Sequence, residues 1–487
     1  MITKVAYKKG MIIIQTIVFG AIAVLMISAL ATATASSVQI GRITYNREQA
    51  FQSAEAGIEY YRWHLAHSAT DYQDGTGAPG PYIHTLYDKD GNAIGQFALS
   101  ITQPSMGYTL VKITSDGSST LDPAYNRVIS SQVAKPSIAE YAFAGNAAMR
   151  FGEGTEVYGK IHSNGGIRFD GLAHNIVTSS ATTYDDADHS GNNEIGVHTH
   201  VNPPPGSGVT SSYRAAEADP NSIPVRTDVF QAGRKISQPV VDFTGFTTDI
   251  AALKANAVAN GFYRDAAGGS YVGYHLVLKT NDTFDLYKIN SWTSVGNCNG
   301  NGSATTSWSI NSQTLQGNYA FPANGILFFE DTLVIDGQIN GARLTITAAD
   351  LPVPTDTTKY KNIIINNDLS YTNQDGTDSI GLVAQGGIKV GMISEDNLKI
   401  DGALIAQNDD VGRFYYSGNN CNYKNRSTLS LYGMIGSHDR YGFAYTDGTG
   451  YATRNITYDT NLLYAPPPDF PLTGSQYQIL SWQENAN

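Results

Sequence analysis

Cysteine, charge and proline are all scarce in this chain, and each scarcity excludes something. Of 487 residues only Cys298 and Cys421 are cysteines. Two isolated thiols cannot make a cysteine-cluster metal site or a disulfide-dense scaffold. Each lies among turn residues, in Val-Gly-Asn-Cys298-Asn-Gly-Asn and Gly-Asn-Asn-Cys421-Asn-Tyr-Lys, so both are expected in exposed loops. Outside a cell their expected state is a bond to each other. Charged residues make up 15% of the chain, with a net charge of −12, and no basic cluster follows the first ten residues. That excludes a nucleic-acid partner, because a phosphate backbone needs a positive surface.

Proline is absent before Pro79, so nothing there breaks a helix. No G-x-S-x-G elbow, phosphate loop, H-E-x-x-H or cysteine nucleophile occurs. The chain is therefore read as a non-enzyme, and nothing in it calls for a cofactor. Paired carboxylates for glycoside cleavage cannot be recognised from sequence alone. An anchored or secreted β-helix enzyme acting on polysaccharide stays as the alternative.

What is present begins at Met11. Residues Met11–Leu30 read MIIIQTIVFGAIAVLMISAL, directly after Lys8-Lys9-Gly10. About twenty apolar residues suffice for one helix to span a bilayer. Lys4, Lys8 and Lys9 precede the run without an acid, which places the N-terminus in the cytoplasm and the body outside. Ala31-Thr32-Ala33 or Ala33-Thr34-Ala35 offers a cleavage site for an ordinary secretory signal, a competing reading. Against it, Ile40, Ile43, Phe51, Ala54, Ile58, Tyr61 and Leu65 continue at helical spacing to about His67, with Arg47 interrupting.

This leader, ending in glycine and followed by an apolar helix that turns amphipathic, resembles a type IV prepilin. The segment Asn46-Arg-Glu-Gln-Ala-Phe-Gln-Ser-Ala-Glu-Ala-Gly-Ile-Glu-Tyr60 is similar to the N-terminal region of PilX-type minor pilins. The resemblance covers residues 1–135. It implies cleavage after Gly10, N-methylation of Met11 and assembly with other pilin subunits through the helix. Major pilins carry a glutamate at the fifth mature position, which pairs with the free amine of a neighbour. This chain has Gln15 there, which fits a rare or tip-located subunit.

The remainder reads as mainly β. Glycine (49) and tyrosine (30) are abundant, as in extracellular chains rich in turns. Ala93–Gln103, Tyr108–Thr114 and Tyr125–Val133 alternate as strands of a pilin-like α+β head. Asp88-Lys-Asp-Gly-Asn92 suits a hairpin turn better than a calcium loop. Beyond Lys135-Pro-Ser, short apolar strands flanked by glycine recur at Tyr158–Phe169, Asp336–Ile339, Gly381–Val390, Asp401–Ile405 and Tyr432–Ile435. That pattern predicts a β-solenoid, a parallel β-helix-like coil, with a β-sandwich as alternative. The expected division is a leader at 1–10, a membrane helix at 11–35 and a head at 36–137. The coil takes 138–183 and 322–487, with an inserted lobe at 184–321.

Two metal patterns fall in the lobe. Asp186, Asp188 and Ser190 match the first half of an EF-hand loop, but Val197 stands where the bidentate acid belongs. His198 and His200, preceded by His189 and Glu194, form a His-x-His pair whose side chains share a face on a strand, as zinc ligands can. The further ligands are not fixed by spacing, and loop histidines and a solvated acidic loop remain the plainer readings. Tyr415, Tyr416, Asn419, Asn420 and Tyr423 suit contact with a surface glycan, since rings stack and amides hydrogen-bond.

Overall fold

The computed structural model describes residues 9–104, 109–188, 191, 193–210, 217, 223–300, 306–445, 447–463, 465–473 and 476–485. It is mainly β with one long N-terminal helix, and it divides into two compact units.

The first unit holds residues up to 103, then 111–133 and 477–487. Helix α1, Lys9–His67, is 59 residues long without a break, or about 88 Å at ~1.5 Å per residue. Its second half packs on a five-stranded sheet. The strand order is Tyr82–Tyr87, Ala93–Thr102, Val111–Ser119, Asn126–Ala134, Gln478–Asn485. The first four strands pair antiparallel in sequence. Ala54, Ile58, Tyr61 and Leu65 project from one face of α1 onto Phe97, Leu99, Val111, Ile113 and Ile129. Each large apolar side chain buried there is worth roughly 1.5–3 kcal/mol. Two glycines set how close the helix lies. A Cβ on Gly117 would fall within 3.0 Å of the Ala54 nitrogen and the Ala50 carbonyl, and one on Gly57 would meet Ser115 and Phe97.

The last strand differs from the expected division, in which residues to 487 belong to the coil. Gln478–Asn485 instead forms the edge of the head sheet. Trp482 meets Phe51 of α1 edge-on at 6.1 Å, and the Ser131 hydroxyl donates to the Ser481 carbonyl at 3.0 Å.

The second unit is the coil. Among the described residues ten strands stack in one parallel ladder. Their order in space is Phe262–Arg264, Ile326–Phe329, Arg343–Ala348, Ser379–Ala384, Asn397–Ala406 and Asn425–Ser437. Then follow Tyr141–Gly145, Lys160–Ser163, Val177–Ser179 and Arg234–Lys235. Inward side chains such as Leu344, Leu382, Leu404, Ile435, Phe143 and Ile161 form one continuous core. The chain therefore enters the coil in the middle. It builds outward to Arg234–Lys235, returns, and builds the other half toward the point of entry.

That return explains residues 184–321, expected as a lobe. Nine ladder steps of about 4.8 Å make roughly 43 Å to cover. Residues 236–245 if extended give about 33 Å, and the 15 residues of α2, Phe246–Asn260, give about 22 Å. Phe246, Ile250, Leu253 and Ala257 line one face of α2 and share a cluster with Ala144, Met434, Ile405, Val383 and Phe328, drawn from five of the stacked strands. Further along, Tyr274–Lys279 pairs parallel with Leu333–Ile339 as part of the coil itself. Thr283–Trp292 and Ile310–Ala320 add antiparallel to it as a terminal hairpin, which closes the last rung's edge.

The proline-rich stretch 465–471 packs against the coil. Phe470 is buried, Arg343 donates to the Pro466 carbonyl at 2.9 Å, and Phe470 and Pro467 cover Gly381.

Cys298 and Cys421 are bonded, with 4.7 Å between their Cα atoms. The bridge joins the terminal hairpin to the loop before Asn425–Ser437, where Asn299–Gly300 also pairs with Tyr416–Ser417. Cys421 is buried rather than exposed. Closing a 123-residue separation is worth about 4.9 kcal/mol in the chain-entropy account.

One buried base gives the coil a pH dependence. His162 is 2% exposed and its Nδ1 lies 2.9 Å from the Thr178 hydroxyl. Burial pushes its pKa below the ordinary value. A base with a lowered folded pKa is favoured neutral, so its contribution is complete above the unfolded value near 6.5 and is lost as pH falls below it. Wild-type protein should therefore lose more stability than His162→Gln between pH 7 and pH 5. The difference is at most about 1.4 kcal/mol per pH unit, read from denaturant midpoints.

Candidate functional site

Two places carry the predicted site residues: the front of α1 and a corner of the coil near Asp186. The front of α1 is apolar and uncovered. Ile14, Phe19, Leu25 and Leu30 are each 65–70% exposed, and the helix is long and apolar enough to cross a membrane. Gln15 is exposed on the same stretch, and Gly10 and Met11 lie within the helix. Water cannot stably bathe so long an apolar surface, so it needs lipid or other apolar helices.

In the corner of the coil, three parallel strands stack: Met149–Phe151, Ile167–Phe169 and Val197–His198. The register sets Arg150, Arg168 and His198 side by side. A short antiparallel pair, Thr183–Tyr184 with Glu194–Ile195, folds the intervening loop back onto them. It brings Asp186 to His198, with Oδ2 3.5 Å from Nε2. The His198 and His200 rings are 5.2 Å apart between centroids. Asp186, His198 and His200 are all buried, and one ligand atom from each lies within 4.8 Å of the others.

The surroundings orient these groups. His200 Nδ1–H donates to the Thr210 carbonyl at 3.0 Å, and the His200 N–H of the backbone donates to Asp170 Oδ1 at 2.9 Å. His198 Nδ1 lies 3.2 Å from the Tyr184 hydroxyl. Arg168 donates through Nε to Asp170 Oδ2 at 2.7 Å, and its Nη1 stands 3.7 Å from Asp186 Oδ2. Burial raises the Asp186 pKa, but the hydrogen bond with His198, the Asp188 amide and the charges of His198 and Arg168 outweigh it and hold the carboxyl ionised. Burial, followed by the Arg168 charge, pushes His200 toward the neutral form. Burial also raises Tyr184, which stays a phenol.

The calcium pattern does not assemble. Asp188 is engaged by Arg440 at 2.9 Å and by Arg150 at 3.3 Å, so its charge is already matched. Ser190 and His189 lie outside the described residues. Glu194 is buried, and its Oε2 accepts the Asp186 amide at 3.4 Å. The residues that sequence reading missed are Arg168, Asp170, Tyr184 and Thr210. Each comes from another strand or rung, and no local spacing announces it.

The tyrosine-rich loop is partly structural. Tyr416 is fully buried under the Arg413 guanidinium, 5.1 Å from its ring, and cannot stack on a glycan. Arg413 is itself buried and donates to the Lys424 carbonyl at 3.0 Å. Burial brings its pKa down to about 10. Asn419 and Asn420 are exposed, while Tyr415 and Tyr423 are half-buried.

No protein-family model matches the chain. No curated protein sequence matches it either. Among solved structures it is similar to the competence-associated pilin ComZ from Thermus thermophilus, at 13% identity, over 90% of this chain and 97% of that one, with a TM-score of 0.29.

Proposed function

We propose that the chain is a minor pilin, a rarely used or tip-located subunit of a type IV pilus or pseudopilus-like filament. The carrying observation is the single uninterrupted helix α1. Its apolar first half is uncovered and its second half is the core element of a small α+β head. A secretory signal would have no reason to continue as one rigid rod into the folded domain it releases. Before assembly the rod sits in the membrane as a single span with its N-terminus in the cytoplasm. In the filament it packs among other pilin rods by apolar contact. Met11 becomes the N-methylated first residue after cleavage behind Gly10. Gln15 cannot neutralise a neighbour's amine, which argues for a position few subunits need to follow. The coil carries surface Tyr415, Asn419, Asn420 and Tyr423 into the extracellular space, where they suit adhesion to a glycan.

Sequencing the N-terminus of the native protein from sheared surface filaments tests this reading. A start at Met11 is expected. A start near Ser36, in protein recovered free in the medium, sinks it.

A further inference from the structure

We propose that Asp186, His198 and His200 bind a first-row divalent cation, with Zn2+ the best match. The donor set is two imidazoles and one carboxylate, which suits zinc and its neighbours and not calcium, an ion that takes six to eight oxygens. The spacing agrees. Zinc–ligand bonds of about 2.0–2.2 Å place tetrahedral ligand atoms roughly 3.4 Å apart, and Asp186 Oδ2 already lies 3.5 Å from His198 Nε2. The third donor is within 4.8 Å of both.

The outer shell is arranged as metal-binding histidines require. A ligating imidazole gives its other N–H to an oxygen, which fixes the ring and the tautomer. His200 Nδ1–H does so to the Thr210 carbonyl, so Nε2 is the nitrogen that carries the lone pair. His198 Nδ1 faces the Tyr184 hydroxyl oxygen, which can accept its proton in the same way. The Arg168 guanidinium is the natural competitor for the cation's place. It is committed first to Asp170, at 2.7 Å, and stands off from Asp186 at 3.7 Å. Three protein ligands leave a fourth position for water. A bound ion would pin the Thr183–Ile195 hairpin to the parallel strands beneath it. The site stands independently of the filament reading, since neither needs the other.

Full-length protein in detergent, stripped with EDTA and dialysed, should take up one Zn2+ per chain when zinc chloride is added. Ca2+ at the same concentration should not compete. Amide exchange across 183–200 should slow with zinc and recover with EDTA; at a hundredfold excess over Kd the open population falls about a hundredfold. His200→Gln and Asp186→Asn should each weaken zinc binding by ~100-fold or more, beyond what loss of an outer-shell partner does. His67→Gln, an exposed histidine at the C-terminal end of α1, should leave it unchanged. Wild-type protein that takes up no zinc overturns the proposal without reference to any variant. So does binding that persists in His200→Gln and Asp186→Asn, or calcium binding in place of zinc.

Discussion

Valine in place of Gly10 should leave the native chain with its first ten residues attached and keep it out of surface filaments. The effect has a direct physical cause beyond the loss of a peptidase site. Uncut protein carries Lys4, Lys8 and Lys9 at the head of the apolar rod. Packing that rod among neighbouring rods would draw three ammonium groups toward the apolar interior. Each costs about 2.5–3.5 kcal/mol at mid-helix on insertion scales. In the proposed membrane orientation the same lysines would rest at the cytoplasmic face at little cost. The variant should therefore accumulate in the membrane fraction, and its share of sheared filaments should fall at least tenfold. Intact-mass measurement gives the processing state, and immunoblots of the two fractions give the distribution. Wild-type amounts of the uncut variant in filaments would remove the basis for the proposed function.

How far the sequence reaches depends on whether a feature is local. The rod is local: an apolar run, a 3.6-residue spacing and an absence of proline all lie within seventy residues, and α1 follows them to His67. The coil is legible as a type because its inward residues recur beside glycine, as at Leu382 and Ile167. Its order is not legible, since parallel ladders join distant parts of the chain, such as Ile435 to Phe143. A chain that enters a coil in the middle must travel back along it. The helix on that path carries Phe246, Ile250, Leu253 and Ala257 on one face, and nothing local to it names the surface they cross. Weak local pattern at 184–321 thus reads as a lobe when it is partly return path and partly coil. The same limit separates the two metal patterns. Asp186 and the histidines fall in different motifs by sequence, and the short pairing of Thr183–Tyr184 with Glu194–Ile195 unites them. Tyr416 fails as a surface ring for a related reason: its cover is Arg413, in place only once the strand Val411–Arg413 has stacked.

Alanine at Gly117 should release the head sheet from α1 while the coil stays intact. The strand Val111–Ser119 passes under the helix at this residue. The added Cβ would fall within 3.0 Å of the Ala54 nitrogen, the Ala54 Cα and the Ala50 carbonyl. These are backbone atoms, and no rotamer change moves them aside. Either the helix lifts, which loosens Ile58 and Leu65 from Phe97, Leu99 and Ile113, or the central strand bends, which breaks its ladders on both sides. Overpacking of this kind costs about 1–3 kcal/mol, and the upper end applies because both partners are regular elements. About 3 kcal/mol is a factor of roughly 150 in local opening. Amides of the strands Ala93–Thr102 and Val111–Ser119 should exchange faster by about that factor, while those of Ser379–Ala384 and Asn397–Ala406, in the other unit, keep their protection. Ser118→Ala, one residue along the same strand and off the helix-facing side, is the control and should change neither. Unaltered exchange in the head strands of Gly117→Ala would show that the helix does not rest on this sheet as closely as its glycines require.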